Sequence, residues 1–391
     1  MDGKVLQEED LNDKVAVVVG TRPGIIKMSP LVKELEKKEV ANILIHAGQH
    51  YSQNLDDTFF TDLKLDSPDY RLEQTKECEY HGEQTAEMLE GIEQILLKER
   101  PRVVLVCGDA NYNLAGALAA RKLGMIVGHV ESGLRSEDWR MPEEHNRVII
   151  DHISEHLFAP TEEAKQNAIE DNVKGEIHIT GNTIVDAVYE NKEIAAEESN
   201  ILSELGVEPN EFFLVTAHRE ENVDNKEKLE LLIETLEQIH NSYNKETIFS
   251  IHPRTVKMLE RFGHKERLIT IDSLHIIEPV GYLDFLQLEA NAFMILTDSG
   301  GIQEEACILQ VPCVTLRENT ERPETVEIGA NQIAGVEPNS VLGCIDEMSS
   351  VDREWQNPFG DGTAAKTIIN IAVSTFTNTQ YDNINSSARE I

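Results

Sequence analysis

Two acidic residues, Asp109 and Glu131, stand at the ends of apolar runs that read as buried strands. Residues 103–107 lead through Gly108 to Asp109, and residues 125–130 lead directly to Glu131. Between them, residues 114–120 have helical patterning and end in Arg121-Lys122, so the segment is one βαβ unit with parallel strands. In open α/β sheets, ligands gather at the carboxyl ends of such strands. Two carboxylates delivered to that edge are expected to transfer protons, because buried acids are costly without a partner or a task. Pro142 is suited to open the next helix, in which Glu143 and Arg147 stand four residues apart. That spacing suits an ordinary helical ion pair as well as a shared role beside the acids.

Four further segments could bind an anion. In Thr297-Asp298-Ser299-Gly300-Gly301, a buried strand gives way to a glycine turn and a helix from about Ile302. The free N–H groups at that helix start favour phosphate, with Glu305 one turn in to meet a ribose diol; a plain Asp/Ser N-cap would look the same. Gly20-Thr21-Arg22-Pro23-Gly24 follows the first strand and offers Arg22 and, a turn later, Lys27 to a diphosphate. His218 and His252 each follow a strand in the second half, where they could donate to phosphate or cap a loop. The sequence has neither a G-x-G-x-x-G nor a G-x-x-x-x-G-K-[ST] run, no H-E-x-x-H or Cys/His ligand spacing, and no G-x-S-x-G. No redox cofactor, metal or serine nucleophile is therefore expected.

The elements that must carry these residues alternate along nearly the whole chain. Strand patterns at 15–19, 43–46, 103–107, 125–130, 157–158 and 177–179 are separated by helical ones, including an amphipathic run at 84–99. Pro30 falls inside a helix pattern and is expected to kink or restart it. After a charged helical stretch between 183 and 210, a second set of strands is expected at 212–216, 248–251, 268–271, 293–296 and 313–316. This is an α/β chain of two Rossmann-like, doubly wound domains, 1–190 and 191–391, and its tail from 377 is expected to fray. With 71 acidic and 35 basic side chains, the formal charge of −36 argues against nucleic acid as a partner. No apolar run is long enough for a membrane span. The acidic first residues do not read as a secretory signal, and five cysteines without a C-x-x-C pair suit a reduced, cytoplasmic protein.

The ordered motifs extend beyond these segments. They include Gly48-Gln49-His50, His81-Gly82-Glu83-Gln84-Thr85, residues 129–135 (HVESGLR), residues 141–144 (MPEE), Gly181-Asn182-Thr183, His218-Arg219-Glu220, residues 321–324 (ERPE) and residues 357–362 (NPFGDG). Together they resemble the non-hydrolysing UDP-N-acetylglucosamine 2-epimerases, a family of glycosyltransferase-B architecture, in the phrasing of its archaeal branch. The resemblance implies an active site in the interdomain cleft, a C-terminal helix returning to the first domain, and a homodimer. It implies interconversion of UDP-GlcNAc and UDP-ManNAc without a cofactor, by eliminating UDP to a 2-acetamidoglucal and adding it back. By position, Asp109, Glu131 and Glu143 correspond to acid/base carboxylates. Arg147 and His218 correspond to groups at the diphosphate, and Arg22, Ser299, Gly300, Gly301 and Glu305 to nucleotide-binding positions. The chain departs from the pattern at Gly24, where Glu is usual, and at Ala110, where Thr is common. It also departs at Ser132, at His145, at residues 74–80 and at Tyr51, where bacterial members often carry Arg. These departures leave open a modified UDP-sugar such as a 2,3-diacetamido uronate, a hydrolysing 2-epimerase, a glycosyltransferase, or a non-catalytic nucleotide-sugar binder.

Overall fold

Apolar strands alternating with helices resolve into two parallel sheets, each with its own core. The computed structural model describes residues 5–48, 59–72, 78 and 80–387. Gln49, His50, Tyr51 and residues 74–77 and 79, singled out in the sequence, lie outside that description. The first unit comprises Met1–Ala187 with Phe359–Ile391, and the second Val188–Pro358. The division falls within a helix, Thr183–Glu198.

In the first unit the strands are β1 (Asn12–Val19), β2 (Asn42–His46), β3 (Tyr70–Arg71), β4 (Pro101–Cys107), β5 (Ile126–Val130), β6 (His156–Ala159) and β7 (Glu176–Ile179). They pair in the order β3-β2-β1-β4-β5-β6-β7, all parallel. β4 is buried at all seven residues, and from Val103 to Cys107 its sequence is a continuous apolar run rather than an alternation, as a central parallel strand covered on both faces requires. The second unit holds β8 (Phe212–Thr216), β9 (Glu246–Ser250), β10 (Leu274–Ile277), β11 (Met294–Thr297), β12 (Cys313–Thr315) and β13 (Asn331–Ile333), in the order β10-β9-β8-β11-β12-β13. In each sheet the order reverses beside the first strand, between β1 and β4 and between β8 and β11. Loops leaving the carboxyl ends on either side of such a reversal diverge and leave a crevice for ligands. Arg22 and Asp109 flank the first crevice; His218 and Ser299 flank the second.

Local differences from the sequence reading have physical causes. Pro30 neither ends nor restarts its helix, which runs unbroken over Arg22–Lys37. Proline cannot donate to the carbonyl four residues back, but the Ser29 hydroxyl does so instead, at 2.8 Å from the Ile26 oxygen. Residues 268–271 are not a strand: Lys265–Ile269 is a helical turn that buries Leu268, and the strand beside β9 is β10. The short edge strands β3 and β13 carry too few apolar residues to show as periodic patterns. The final helix, Ala364–Ser387, continues through the stretch expected to fray. Its first N–H groups, from Ala364 and Ala365, donate to the Asp186 carboxylate, and Ile368, Ile369 and Ala372 are buried behind them.

The loop after β1 depends on a tyrosine from the helix Asn111–Leu123. The Tyr112 ring is buried, and a Cβ at Gly20 would lie 2.6 Å from its Cδ1. A Cβ at Gly24 would lie 2.1 Å from its hydroxyl oxygen. Tyr112 therefore fills the space that a side chain at position 24 would take. Gly24→Ala is expected to lower stability by about 1–3 kcal/mol, the usual cost of overpacking. Tyr112→Phe should recover part of that loss by removing the clashing oxygen, since the next ring atom is 3.3 Å away. Urea denaturation of both single variants and the double variant checks this; additive losses would refute the coupling.

Candidate active site

Glu131 follows β5 directly and takes a left-handed backbone, φ +64°. A non-glycine residue holds that conformation only when its surroundings compel it, which is common at functional sites. Here the compulsion is a set of bonds. Lys27 Nζ lies 2.6 Å from Glu131 Oε1, and Asn182 Nδ2 donates to the same oxygen at 2.9 Å. The Cys107 thiol donates toward Oε2 at 3.7 Å. Burial, and then the Glu131 carboxylate, push the Cys107 pKa up, so it stays a thiol. Gly108, at φ +76°, provides the neighbouring turn; a Cβ there would sit 3.3 Å from Glu131 Oε2.

Asp109 lies beyond that turn and pairs through Oδ2 with Arg147 Nη2. The Asn146 amide donates to the Asp109 carbonyl at 2.8 Å, so consecutive residues of the helix Pro142–Ile153 hold both ends of the aspartate. Asp109 is partly exposed, and its Oδ1 has no protein partner among the described residues. Arg147 also lies 3.4 Å from Glu144. Glu144 is the buried acid of the pair at 143–144, and it accepts from the backbone of Ser136 and Glu137. The i,i+4 pair with Glu143 does not form. Asp109 and Glu144 engage Arg147 instead, and Glu143 stays half-exposed, one turn before it. Lys27, expected at a diphosphate, has its ammonium largely buried against Glu131, 2.6 Å away. Arg22 opens its helix with its guanidinium over the Phe59 ring, 5.2 Å from the centroid.

Beneath these acids lies a buried pair with no signature in the sequence. His129, inside β5, has its Nδ1 2.6 Å from Asp151 and its Nε2 3.0 Å from the Gly108 carbonyl. The ring is thus held at both nitrogens. Asp151 also accepts from the Gly133 N–H and from Arg135. Burial opposes its charge, but His129 and Arg135 outweigh that and hold its pKa below the ordinary value. The turn carrying Asp109 is thereby tied to the floor of the sheet.

In the second unit, Asp298 ties the two loops at the crevice together. It is fully buried after β11, and its carboxylate accepts from the backbone N–H of His218 and Arg219, both at 2.9 Å, and from Asn222. His218 Nδ1 lies 2.9 Å from Asp298 Oδ1, which leaves Nε2 as the outward nitrogen. Burial raises the Asp298 pKa, but these donors, His218 foremost, bring it below the ordinary value. The N-cap alternative for this segment fails, since Asp298 is spent on the opposite loop and Ser299 makes no side-chain cap. Gly300, Gly301 and Ile302 thus begin a nine-residue helix, Gly300–Ile308, with unspent N–H groups. His252 accepts from the Arg254 N–H through Nδ1 and caps the helix Pro253–Phe262, with its ring 5.6 Å from that of His218. Burial, then the charge on His218, lowers the His252 pKa.

Glu305, one turn into the helix, is buried beside Tyr282 and Glu289. Glu289 is wholly buried, and neither of its oxygens finds a hydrogen-bond partner among the described residues. Burial, and then the Glu305 charge, raise its pKa well above the ordinary carboxylate value. A carboxyl whose folded pKa is raised favours folding less as pH climbs from the unfolded value toward the folded one. Glu289→Gln removes that ionisation. The variant is expected to gain on the parent protein in urea denaturation between about pH 5.5 and about pH 8. Parallel pH dependence of the two proteins would contradict it.

The family model described as UDP-N-acetylglucosamine 2-epimerase matches residues 33–372. A UDP-N-acetylglucosamine 2-epimerase of Methanococcus maripaludis is 53% identical over 361 residues, 92% of this chain and 98% of that protein. The crystal structure of the Methanocaldococcus jannaschii UDP-GlcNAc 2-epimerase in complex with UDP-GlcNAc and UDP superposes with a TM-score of 0.83 at 51% identity, covering 92% of this chain and 99% of that one. A UDP-2,3-diacetamido-2,3-dideoxy-D-glucuronate 2-epimerase of Pseudomonas aeruginosa is 37% identical over 333 residues, 84% of this chain and 90% of that protein. The identity and coverage hold through both units, so this chain belongs to the UDP-N-acetylglucosamine 2-epimerase family.

Proposed function

We propose that this protein interconverts UDP-GlcNAc and UDP-ManNAc by inverting C2 of the sugar. The observation that carries the reading is the pair of strand-end carboxylates, Asp109 and Glu131, each held by its own cation, Arg147 and Lys27. The proton on C2 is only weakly acidic, so inversion proceeds by elimination. A carboxylate takes the C2 proton, the C–H electrons form the C1=C2 bond, and the C1–O bond breaks to release UDP. Addition in reverse, with the proton delivered to the other face, gives the epimer. Such a reaction needs a base, an acid and charge stabilisation at the departing diphosphate. Asp109, with Oδ1 unengaged, Glu131 and Glu143 supply the acid–base side. Arg22, Arg147, His218 through Nε2 and the helix start at Ser299–Gly301 bind the diphosphate, and Glu305 meets the ribose. No redox cofactor is required, because hydrogen leaves and returns as a proton. The high identity to archaeal UDP-N-acetylglucosamine 2-epimerases favours the unmodified sugar. A cytoplasmic homodimer is part of the reading: five free thiols suit a reducing compartment, and light scattering tests the dimer by an expected mass of twice 44.0 kDa.

Proton NMR of UDP-GlcNAc in D2O with the pure protein tests the function. UDP-ManNAc should appear while deuterium replaces the C2 proton. Free ManNAc with UDP would indicate the hydrolysing reaction, and an unchanged spectrum would refute the assignment for this sugar. Asp109→Asn should cut turnover by about 10²–10⁴-fold while UDP still binds calorimetrically. Turnover at the parent rate would remove Asp109 from the chemistry.

A further inference from the structure

The outermost pair of strands in the first unit carries a cluster that the epimerase reading does not use. His156 opens β6 and Glu176 opens β7, and the parallel register sets them directly opposite each other. His178, two residues along β7, returns to the face of Glu176. The cluster therefore sits at the amino ends of its strands, whereas Asp109 and Glu131 follow the carboxyl ends of theirs. His156 Nδ1 and His178 Nε2 approach to 3.2 Å, and each lies 3.9 or 3.8 Å from Glu176 Oε2. The imidazoles are mostly buried and the carboxylate is largely exposed. Phe158, buried in β6, stacks on the His178 ring at 5.6 Å and fixes its orientation.

The geometry points to a binding site for a divalent transition-metal ion, of the zinc class, held by His156, His178 and Glu176. A point equidistant from the three ligand atoms lies about 2.1 Å from each, within the range of zinc–nitrogen and zinc–oxygen bonds. Two imidazoles and one carboxylate select zinc, cobalt, nickel or copper over magnesium and calcium. Three protein ligands leave a fourth position to water, on the exposed side. Without metal, one imidazole donates to the other across the 3.2 Å contact. Ligation through both facing nitrogens requires only that this proton move to the far nitrogen of its ring. The bound ion would cross-link β7, which is held on one side only among the described strands, to β6.

Tag-free full-length protein, stripped with a chelator, provides the test. Calorimetry with Zn2+ should show one equivalent that His178→Gln and His156→Gln each weaken by more than about tenfold, leaving any binding elsewhere intact. Glu176→Gln, at an exposed position, should weaken it less without disturbing the fold. Co2+ should give visible absorption bands that Zn2+ abolishes. Zn2+ should raise the melting temperature of the parent protein but not of either histidine variant, with UDP-GlcNAc turnover unchanged in all three. No stoichiometric Zn2+ binding, unaltered binding in both histidine variants, or equal affinity for Mg2+ would overturn the proposal.

Discussion

A charge buried at the end of a parallel strand must have a counter-charge within reach, and the polar structure around both crevices follows from that requirement. Each strand-end acid is met by a partner from another element: Glu131 by Lys27, Asp109 by Arg147, Asp298 by His218. The pairs do more than neutralise one another. Asp298 fixes the loop after β8 to the loop after β11, and Lys27 binds the first helix to the end of β5. Removing Lys27 would strand the buried Glu131 charge, a change of the kind that typically costs about 3–5 kcal/mol, whereas solvent screens the partly exposed Asp109 and lessens its loss. The same requirement operates one layer down. Asp151 satisfies His129, Arg135 and a backbone N–H together, and His129 passes the constraint to the Gly108 carbonyl beside Asp109.

The fold was legible wherever strands were long and apolar. The alternation, the parallel unit from β4 to β5 and the second set of strands from 212 onward all follow from hydrophobic runs and glycine turns. Register and partner choice were not. The acid at 131 could be assigned to a strand end from its neighbours, but nothing in the chain near it foretold Lys27, which stands 104 residues earlier. Asp298 was visible within its motif, where an anion-binding turn and a plain N-cap looked alike. Its actual donors lie 79 and 80 residues away. Glu143 and Arg147 show the same limit in reverse: helical spacing offered a pair, and a loop from another strand supplied a better one. The cluster at 156, 176 and 178 has no linear signature, since it exists only once two edge strands are in register.

Sheet topology explains why chemistry-bearing residues from distant parts of the chain belong together. In each unit the strand order reverses beside the first strand, so loops that follow β1 and β4, or β8 and β11, face one opening rather than cover it. The Thr216 and Thr297 hydroxyls, 2.6 Å apart at the ends of β8 and β11, hold the edges of the second opening together at its base. Gly301 is exposed at that helix start, whereas Gly300 is buried, with Glu321 Oε2 3.4 Å from where its Cβ would be.

Tyr112 makes two separate loop positions answer to one side chain. Its hydroxyl occupies the space that a side chain at position 24 would need, and its ring does the same at position 20. A side chain added at either position must displace the tyrosine, at the cost in stability that overpacking brings. Positions 20, 24 and 112 therefore form one packing unit, and the shape of the loop after β1 is set as much by the helix Asn111–Leu123 as by its own residues.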